Sequence, residues 1–367
     1  MRYKSLDEIC VNLDSRRKPI TATNRIAGRI PYYGASGIVD YVEDYIFDED
    51  LLLVSEDGAN LVMRSTPIAF SIEGKAWVNN HAHVLRFKDK WLRQFVELYL
   101  NSIDLSPYIT GTAQPKLNQQ MLNMIPIPIP NETDIKHIVT TLNKLKEITD
   151  LRKKQLQVFD ALIKARFVEL FGNPESDEKY PQIAIKDFTD VISGGTPDRK
   201  NNQYWENGTV PWVKTTELQN NRINSVEEYI TEKGLNESSA KVVPVDTVLI
   251  AMYGQGKTRG MTAILGIPAS TNQACACILP CETVEPKYLW QYMIMSYGRL
   301  RNLAQGGNQP NLNGNMIKNF TVLVPTVELQ MQFVKFVEQV DKSKVAVQKA
   351  LDETKLLFDS LMQQYFG

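Results

Sequence analysis

The sequence predicts an α+β fold: two similar α/β globular domains separated by a pair of long antiparallel helices (a coiled coil), related by a pseudo-twofold axis. Three observations predict it. The 367-residue chain repeats itself. Each copy opens with short β-rich runs punctuated by Gly, Pro and Asn, and each closes with a proline-free stretch carrying a heptad pattern.

The repeat comes first. Gly111-Thr112-Ala113-Gln114-Pro115-Lys116-Leu117-Asn118 reads against Gly306-Gly307-Asn308-Gln309-Pro310-Asn311-Leu312-Asn313, a shift of 195 (306 − 111). That shift also carries Met121 onto Met316, Pro130 onto Pro325, Val139 onto Val334 and Phe171-Gly172 onto Phe366-Gly367. Upstream, with small insertions, Asp50-Leu51-Leu52-Leu53-Val54 matches Asp246-Thr247-Val248-Leu249-Ile250, and Ile30-Pro31-Tyr32-Tyr33 matches Val210-Pro211-Trp212-Val213. Asn80-His81-Ala82 reads against Asn272-Gln273-Ala274. The expected organisation is a first globular domain over 1–130, a long helix over 131–172, a linker and second domain over 173–325, and a second long helix over 326–367.

Within the globules, runs such as Leu51 to Val54, Val248 to Met252 and Thr321 to Val324 read as strands. Each globule ends in a proline-bearing piece, Ile125-Pro126-Ile127-Pro128-Ile129-Pro130 or Val322-Leu323-Val324-Pro325. Alternating prolines cannot sit in a central strand, so these are extended connectors or sheet edges. In the second proline-free run Phe333, Val337, Val340, Lys344, Val347, Leu351, Thr354, Phe358, Leu361 and Tyr365 alternate steps of four and three. Subtracting 195 gives Ile138, Leu142, Leu145, Thr149, Arg152, Leu156, Phe159, Ile163, Arg166 and Leu170. This heptad seam predicts helices that pack along one another, with Leu142, Leu145, Leu156, Phe159, Ile163, Val337, Val340, Val347, Leu351 and Phe358 as packing residues. Forty helical residues span about 60 Å, too long to hide in a compact globule of this size. The alternative reading of such a stripe is a helix lying on a domain core; matching register in both copies favours pairing.

Composition narrows the function. Hydrophobic residues make up 43% and charged residues 23%, a globular balance. With 41 basic and 42 acidic residues the net charge is −1, which argues against gripping nucleic acid by bulk charge and leaves local basic patches. No apolar run reaches membrane-spanning length, and Met1-Arg2-Tyr3-Lys4-Ser5-Leu6-Asp7 holds no signal-peptide core. With four cysteines in the chain, a cytoplasmic protein without a disulfide framework is expected.

No catalytic motif is complete in the sequence. Ala251-Met252-Tyr253-Gly254-Gln255-Gly256-Lys257-Thr258 resembles a phosphate-binding loop but has Ala where Gly is required, and Gly260, Gly266 and Pro268 preclude the following helix. The favoured role is a flexible loop offering Gln255, Lys257 and Arg259 to a polyanion. His81-x-His83 and Cys275-x-Cys277, with Cys281 nearby, supply too few soft ligands for a metal site and read as half-buried strand residues; His137 reads as solvated. Asn173-Pro174-Glu175 lacks the second proline and aromatic of an adenine methyltransferase loop. No catalytic residue and no bound metal is expected.

What remains is a set of polar, amide-rich loops flanked by aromatics. In the first copy Tyr32, Tyr33, Ser36, Asn79, Asn80 and His81 are candidate DNA contacts. In the second they are Thr196, Arg199, Lys200, Trp212, Lys214, Thr215, Thr216, Gln255, Lys257, Arg259, Asn272 and Gln273. Arg and Lys read guanine or hold phosphate, Asn and Gln read adenine edges, and Thr meets the thymine methyl. The alternative is that Gly, Pro and Asn in these loops merely make turns. Gln114, Asn118, Gln309 and Asn313 are assigned to the junction of globule and helix, capping a turn or touching the DNA backbone.

Along essentially its whole length the chain resembles the specificity subunit of type I restriction-modification systems. The likeness rests on Ile30-Pro31-Tyr32-Tyr33-Gly34-Ala35-Ser36-Gly37, Ser193-Gly194-Gly195-Thr196-Pro197, Val210-Pro211-Trp212-Val213-Lys214-Thr215-Thr216, Ile250-Ala251-Met252-Tyr253-Gly254 and Thr271-Asn272-Gln273-Ala274-Cys275-Ala276. The paired Gln-Pro-x-Leu-Asn motifs and the two helices complete it. The resemblance implies two target recognition domains, each reading half of a bipartite double-stranded DNA site, and helices that set the spacing and dock partners. Such a subunit has no activity alone and binds no cofactor. It recruits two methyltransferase subunits, which use S-adenosylmethionine, and two restriction subunits, which use ATP and magnesium. Asp14-Ser15-Arg16-Arg17-Lys18-Pro19 departs from Gly194-Gly195-Thr196-Pro197, so the half-sites are expected to differ. The competing reading is a protein-only scaffold with two docking domains on a coiled-coil spacer.

Overall fold

A computed structural model describes residues 2–111, 113–173, 180–254, 256–304 and 311–367. It resolves into two compact units, Met1–Lys153 with Gln348–Gly367, and Lys154–Val347. The division runs through both long helices, Glu132–Phe171 and Val327–Phe366.

In the first unit an antiparallel sheet orders its strands Val11–Asn12, Ala82–Arg86, Leu51–Ser55 and Ala69–Ile72. Its central strand Leu51–Ser55 is buried on both faces, which is why it reads as an unbroken apolar run. A second sheet pairs Ala27–Gly34 with Gly37–Val42 and, in parallel, with Lys75–Val78. The proline-bearing piece forms a strand, Ile127–Ile129, in a two-stranded ribbon with Arg2–Lys4. Both members of such a ribbon are edges, so alternating prolines leave no ladder bond unmade.

The second unit repeats the plan. Val191–Ser193, Cys275–Ile278, Val248–Ala251, Thr262–Leu265 and Asn221–Ile223 form the larger sheet. Val210–Val213 pairs in parallel with Ser270–Thr271, and Gln182–Ala184 with Thr321–Leu323 makes the ribbon. The structure shifts one alignment by a residue. Trp212 stands opposite Ser270 as Tyr32 stands opposite Trp77, and the N–H groups of Asn79 and Asn272 each donate over 3.0 Å to the carbonyls of Tyr33 and Val213. Asn79, not Asn80, is therefore the counterpart of Asn272, and His81 answers to Ala274.

Every seam position of the long helices is buried or half-buried. In the first unit Arg152 donates to the carbonyl of Ala350 and to Thr354 Oγ1, while Phe358, Leu361 and Tyr365 pack against the core that holds Ile138 and Leu142. In the second Lys344 bonds Asp160 and the rings of Phe167 and Phe333 meet at 5.4 Å. As one helix ascends the other descends, so the pairing within each unit is antiparallel. The seam also does what its alternative reading required, because Ile138 and Leu142 belong to the first unit's core and Phe333, Val337 and Val340 to the second's. The repeats exchange their ends. Phe171 packs on Tyr288 in the second unit at 5.1 Å, and its equivalent Phe366 packs on Phe95 in the first at 5.4 Å. Burying each such side chain contributes about 1.5–3 kcal/mol.

Candidate nucleic-acid interface

In both units the sequence-predicted loops meet at one end of the central strand, held by the same backbone bonds. Beyond strand Leu51–Ser55 the N–H of Glu56 donates to His81 O (2.9 Å), and Glu56 O accepts from Leu117 N (2.7 Å). Beyond strand Val248–Ala251 the N–H of Met252 donates to Ala274 O (2.8 Å), and Met252 O accepts from Leu312 N (3.0 Å). These bonds account for the Gln-Pro-x-Leu-Asn motifs. The leucines are buried, and Asn118 and Asn313 cap short helices by accepting from the backbone N–H of Met121 and Met316, each at 2.9 Å. Gln114 is exposed; Gln309 lies outside the described residues.

On the first unit's face Ser36, Asn80 and His81 are exposed. His81 Nδ1 lies 2.9 Å from the Asp57 carboxylate. Three candidates turn inward instead. Tyr32 is 1% exposed and its hydroxyl accepts from Ile20 N (3.0 Å). Buried Asn79 spends its side-chain oxygen on His81 N (2.8 Å), and Tyr33 is half-buried against Phe70. Held by these inward contacts, they shape the loops.

On the second unit's face Lys200, Thr216, Lys257 and Gln273 are exposed, and Thr196, Thr215, Arg259 and Asn272 are half-buried. Thr196 Oγ1 bonds the side chain of Gln273. Trp212, 2% exposed, donates its indole N–H to Gly195 O (2.9 Å), so it anchors the glycine loop and cannot stack on a base. Arg199 lies over the rings of Trp205 (3.7 Å) and Trp212 (4.6 Å) and pairs with Glu228. Lys214 is clamped by Glu227 (2.7 Å) and Glu228 (3.0 Å), whose hydrogen bonds push its pKa up. Both cations are engaged within the protein. Gln255 lies outside the described residues. Strand Thr262–Leu265 follows Gly260 where a phosphate-binding loop needs a helix, as Gly260, Gly266 and Pro268 led one to expect.

Sequence reasoning missed a charged network behind the first unit's face. His83, expected half-buried, is 1% exposed; Nδ1 faces Asp14 (2.6 Å) and Nε2 faces Leu117 O (2.7 Å). Arg17 pairs with Glu56 (2.6 Å) and Asp14 (3.5 Å), and Lys116 reaches Glu56 (3.2 Å). Burial is the largest influence and raises the Asp14 and Glu56 carboxyls, but the opposing contacts together outweigh it (His83, Val84 N–H and Asn12 on Asp14; Arg17, His83 and Lys116 on Glu56), so both titrate below their ordinary values. Asp14, Glu56 and His83 have ligand atoms within 4.8 Å of one another. Arg17 and Lys116 already supply the positive charge there, and a carbonyl at Nε2 requires a proton on that nitrogen. The chemistry is that of an ion network. Cys275 and Cys277, also expected half-buried, are fully buried, and burial raises their thiol pKa values, that of Cys277 to about 11.

The fold and this twofold loop arrangement have known counterparts. The family model described as "Type I restriction modification DNA specificity domain" matches residues 1–159 and 178–354. A putative type I restriction enzyme specificity subunit of Haemophilus influenzae is 37% identical over 149 residues, 41% of this chain and 38% of that protein. The EcoR124I/EcoR124II specificity subunit of Escherichia coli is 25% identical over 270 residues, 69% of this chain and 64% of its own length. The chain thus spans between about a third and two thirds of these relatives. In fold it is similar to a type I S subunit from M. genitalium (TM-score 0.65, 14% identity, 100% of this chain and 96% of that one). It is also similar to a chain from a structure of a type I R-M system (TM-score 0.60, 17% identity, 100% and 97%). Matched over most of its length in two consecutive segments, one for each loop face, the chain belongs to the type I restriction-modification DNA specificity family.

Proposed function

We propose that this chain is the non-catalytic DNA-recognition subunit of a type I restriction-modification complex, each loop face reading one half of a bipartite double-stranded target. The observation that carries the reading is the duplicated face: identical backbone bonds at Glu56 and Met252 present unlike side chains, His81 and Asn80 in one unit, Gln273 and Lys257 in the other. One scaffold built twice with different reading groups suits two different half-sites.

The long helices would set the distance between the half-sites and dock methyltransferase subunits. Supporting this, they leave apolar side chains in solvent: Leu151 (58% exposed) and Leu356 (71%) in the first unit, Val158 (55%) and Val345 (71%) in the second. Partners would bring S-adenosylmethionine for adenine methylation, and ATP with magnesium for restriction. Among the described residues no helix is long and apolar enough to cross a membrane.

The test is sequencing of methylated adenines in DNA treated with the reconstituted complex. Two defined half-sites at a fixed gap are expected. A gel shift with the methyltransferase subunit present that shows no sequence selectivity would instead favour a protein-only scaffold. A seven-residue insertion in one long helix should change the gap, and an unaltered gap would count against the helices as a ruler.

A further inference from the structure

The second unit's face carries a device the first lacks. Between strands Val248–Ala251 and Thr262–Leu265 the chain loops out through Gly254 (φ +137°), Gly256 (φ +60°) and Gly260 (φ +84°), three left-handed glycines. Alone, such a loop samples many conformations, because glycine loses the most backbone freedom on ordering. Here its carbonyls are held. The Tyr297 hydroxyl donates to Lys257 O (2.9 Å), and Arg301 Nη1 donates to Gly256 O (2.8 Å), Arg259 O (3.1 Å) and the Tyr297 hydroxyl oxygen (3.0 Å). Both side chains project from one helix, Tyr297–Leu303, four residues apart and so on one face. With three consecutive-segment carbonyls turned inward onto that helix, the exposed Lys257 side chain is carried on the outer surface. The first unit turns at the same place through Ser55-Glu56-Asp57-Gly58, where Gly58 N donates to Pro115 O (3.1 Å), Glu56 O accepts from Leu117 N (2.7 Å), and Arg17 holds the Glu56 side chain rather than the carbonyls of the turn.

We propose that Arg301 and Tyr297 are positioning residues for DNA recognition: they hold the Gly256–Gly260 segment so that the exposed Lys257 meets DNA preorganised. The inference rests on the functional reading above. Preorganisation removes an ordering cost at binding, so Arg301→Ala should weaken DNA binding by the assembled complex about tenfold. The slope of log affinity against log salt should stay unchanged, because no phosphate contact is removed. Lys257→Ala, by contrast, should lower that slope by about one. Relaxed discrimination after Arg301→Ala should be confined to one half-site.

Amide hydrogen exchange of the free chain gives an independent reading: exchange at residues 256–261 should accelerate in Arg301→Ala and, less, in Tyr297→Phe. An Arg301→Ala complex with wild-type affinity, or with the reduced salt slope of Lys257→Ala, would overturn the positioning role. If the wild-type complex showed no selective DNA binding, the functional reading would fail, while the exchange experiment would still report whether Arg301 holds the loop.

Discussion

Glu56→Met tests the physical account of the first unit most directly, because the second unit carries Met252 at the corresponding place. Arg17 and Glu56 are 13% and 12% exposed at their side chains and meet at 2.6 Å. Two unit charges about 4 Å apart interact by about 4 kcal/mol at an effective dielectric near 20. Removing one member of a buried pair typically costs about 3–5 kcal/mol, because the partner loses its nearest counter-charge; of its carboxylate contacts Arg17 keeps only the longer one, 3.5 Å from Asp14. Glu56→Met should therefore destabilise the first unit by that amount. Native-state hydrogen exchange in strands Leu51–Ser55 and Ala82–Arg86 should rise by about two to four powers of ten, with strand Val248–Ala251 unaffected. Adding Arg17→Met should fall short of the summed single effects by about 1–3 kcal/mol. A single-variant cost below about 1 kcal/mol, or additive effects, would refute the claim that the pair is coupled and poorly solvated.

Three further outcomes are expected. Because Asp14 and Glu56 titrate below their ordinary values of 3.8 and 4.5, the stability they confer is complete above those values and is lost as pH falls through the depressed ones. Melting curves taken downward from pH about 5 should show the loss, and Asp14→Asn with Glu56→Gln should flatten it. Asn118→Ala and Asn313→Ala should each cost about 1 kcal/mol in urea denaturation, since each removes the cap of a short helix. Phe167→Ala should cost about 3–5 kcal/mol in the same assay, because the ring is fully buried among Phe171, Tyr288, Tyr292 and Phe333.

Local periodicity made the architecture legible. A heptad is written within one segment, so the seam from Phe333 to Tyr365 and its copy from Ile138 to Leu170 could be read to the residue, and burial follows that register. Duplication likewise needed only self-comparison, and Asn118 and Asn313 announced their capping role by residue type. What long-range pairing decides was less legible. The alignment of Asn80 with Asn272 is one residue out because strand register, set by Tyr32 opposite Trp77 and Trp212 opposite Ser270, fixes equivalence between the copies. Tyr32 and Trp212 stand among the expected DNA contacts, yet their hydroxyl and indole groups find partners 12 and 17 residues away inside the protein.

By itself the sequence determined the doubling, the seam, the strand runs and the family, all properties carried by spacing along the chain. Only the tertiary structure decided which charges are free to meet a ligand. Arg199 and Lys214 share Glu228, Arg17 belongs to Glu56, and Arg301 belongs to a loop more than forty residues before it. The physical reason is that electrostatic pairing depends on separation in space and on solvent exclusion, and folding sets both by bringing together residues that no local pattern connects.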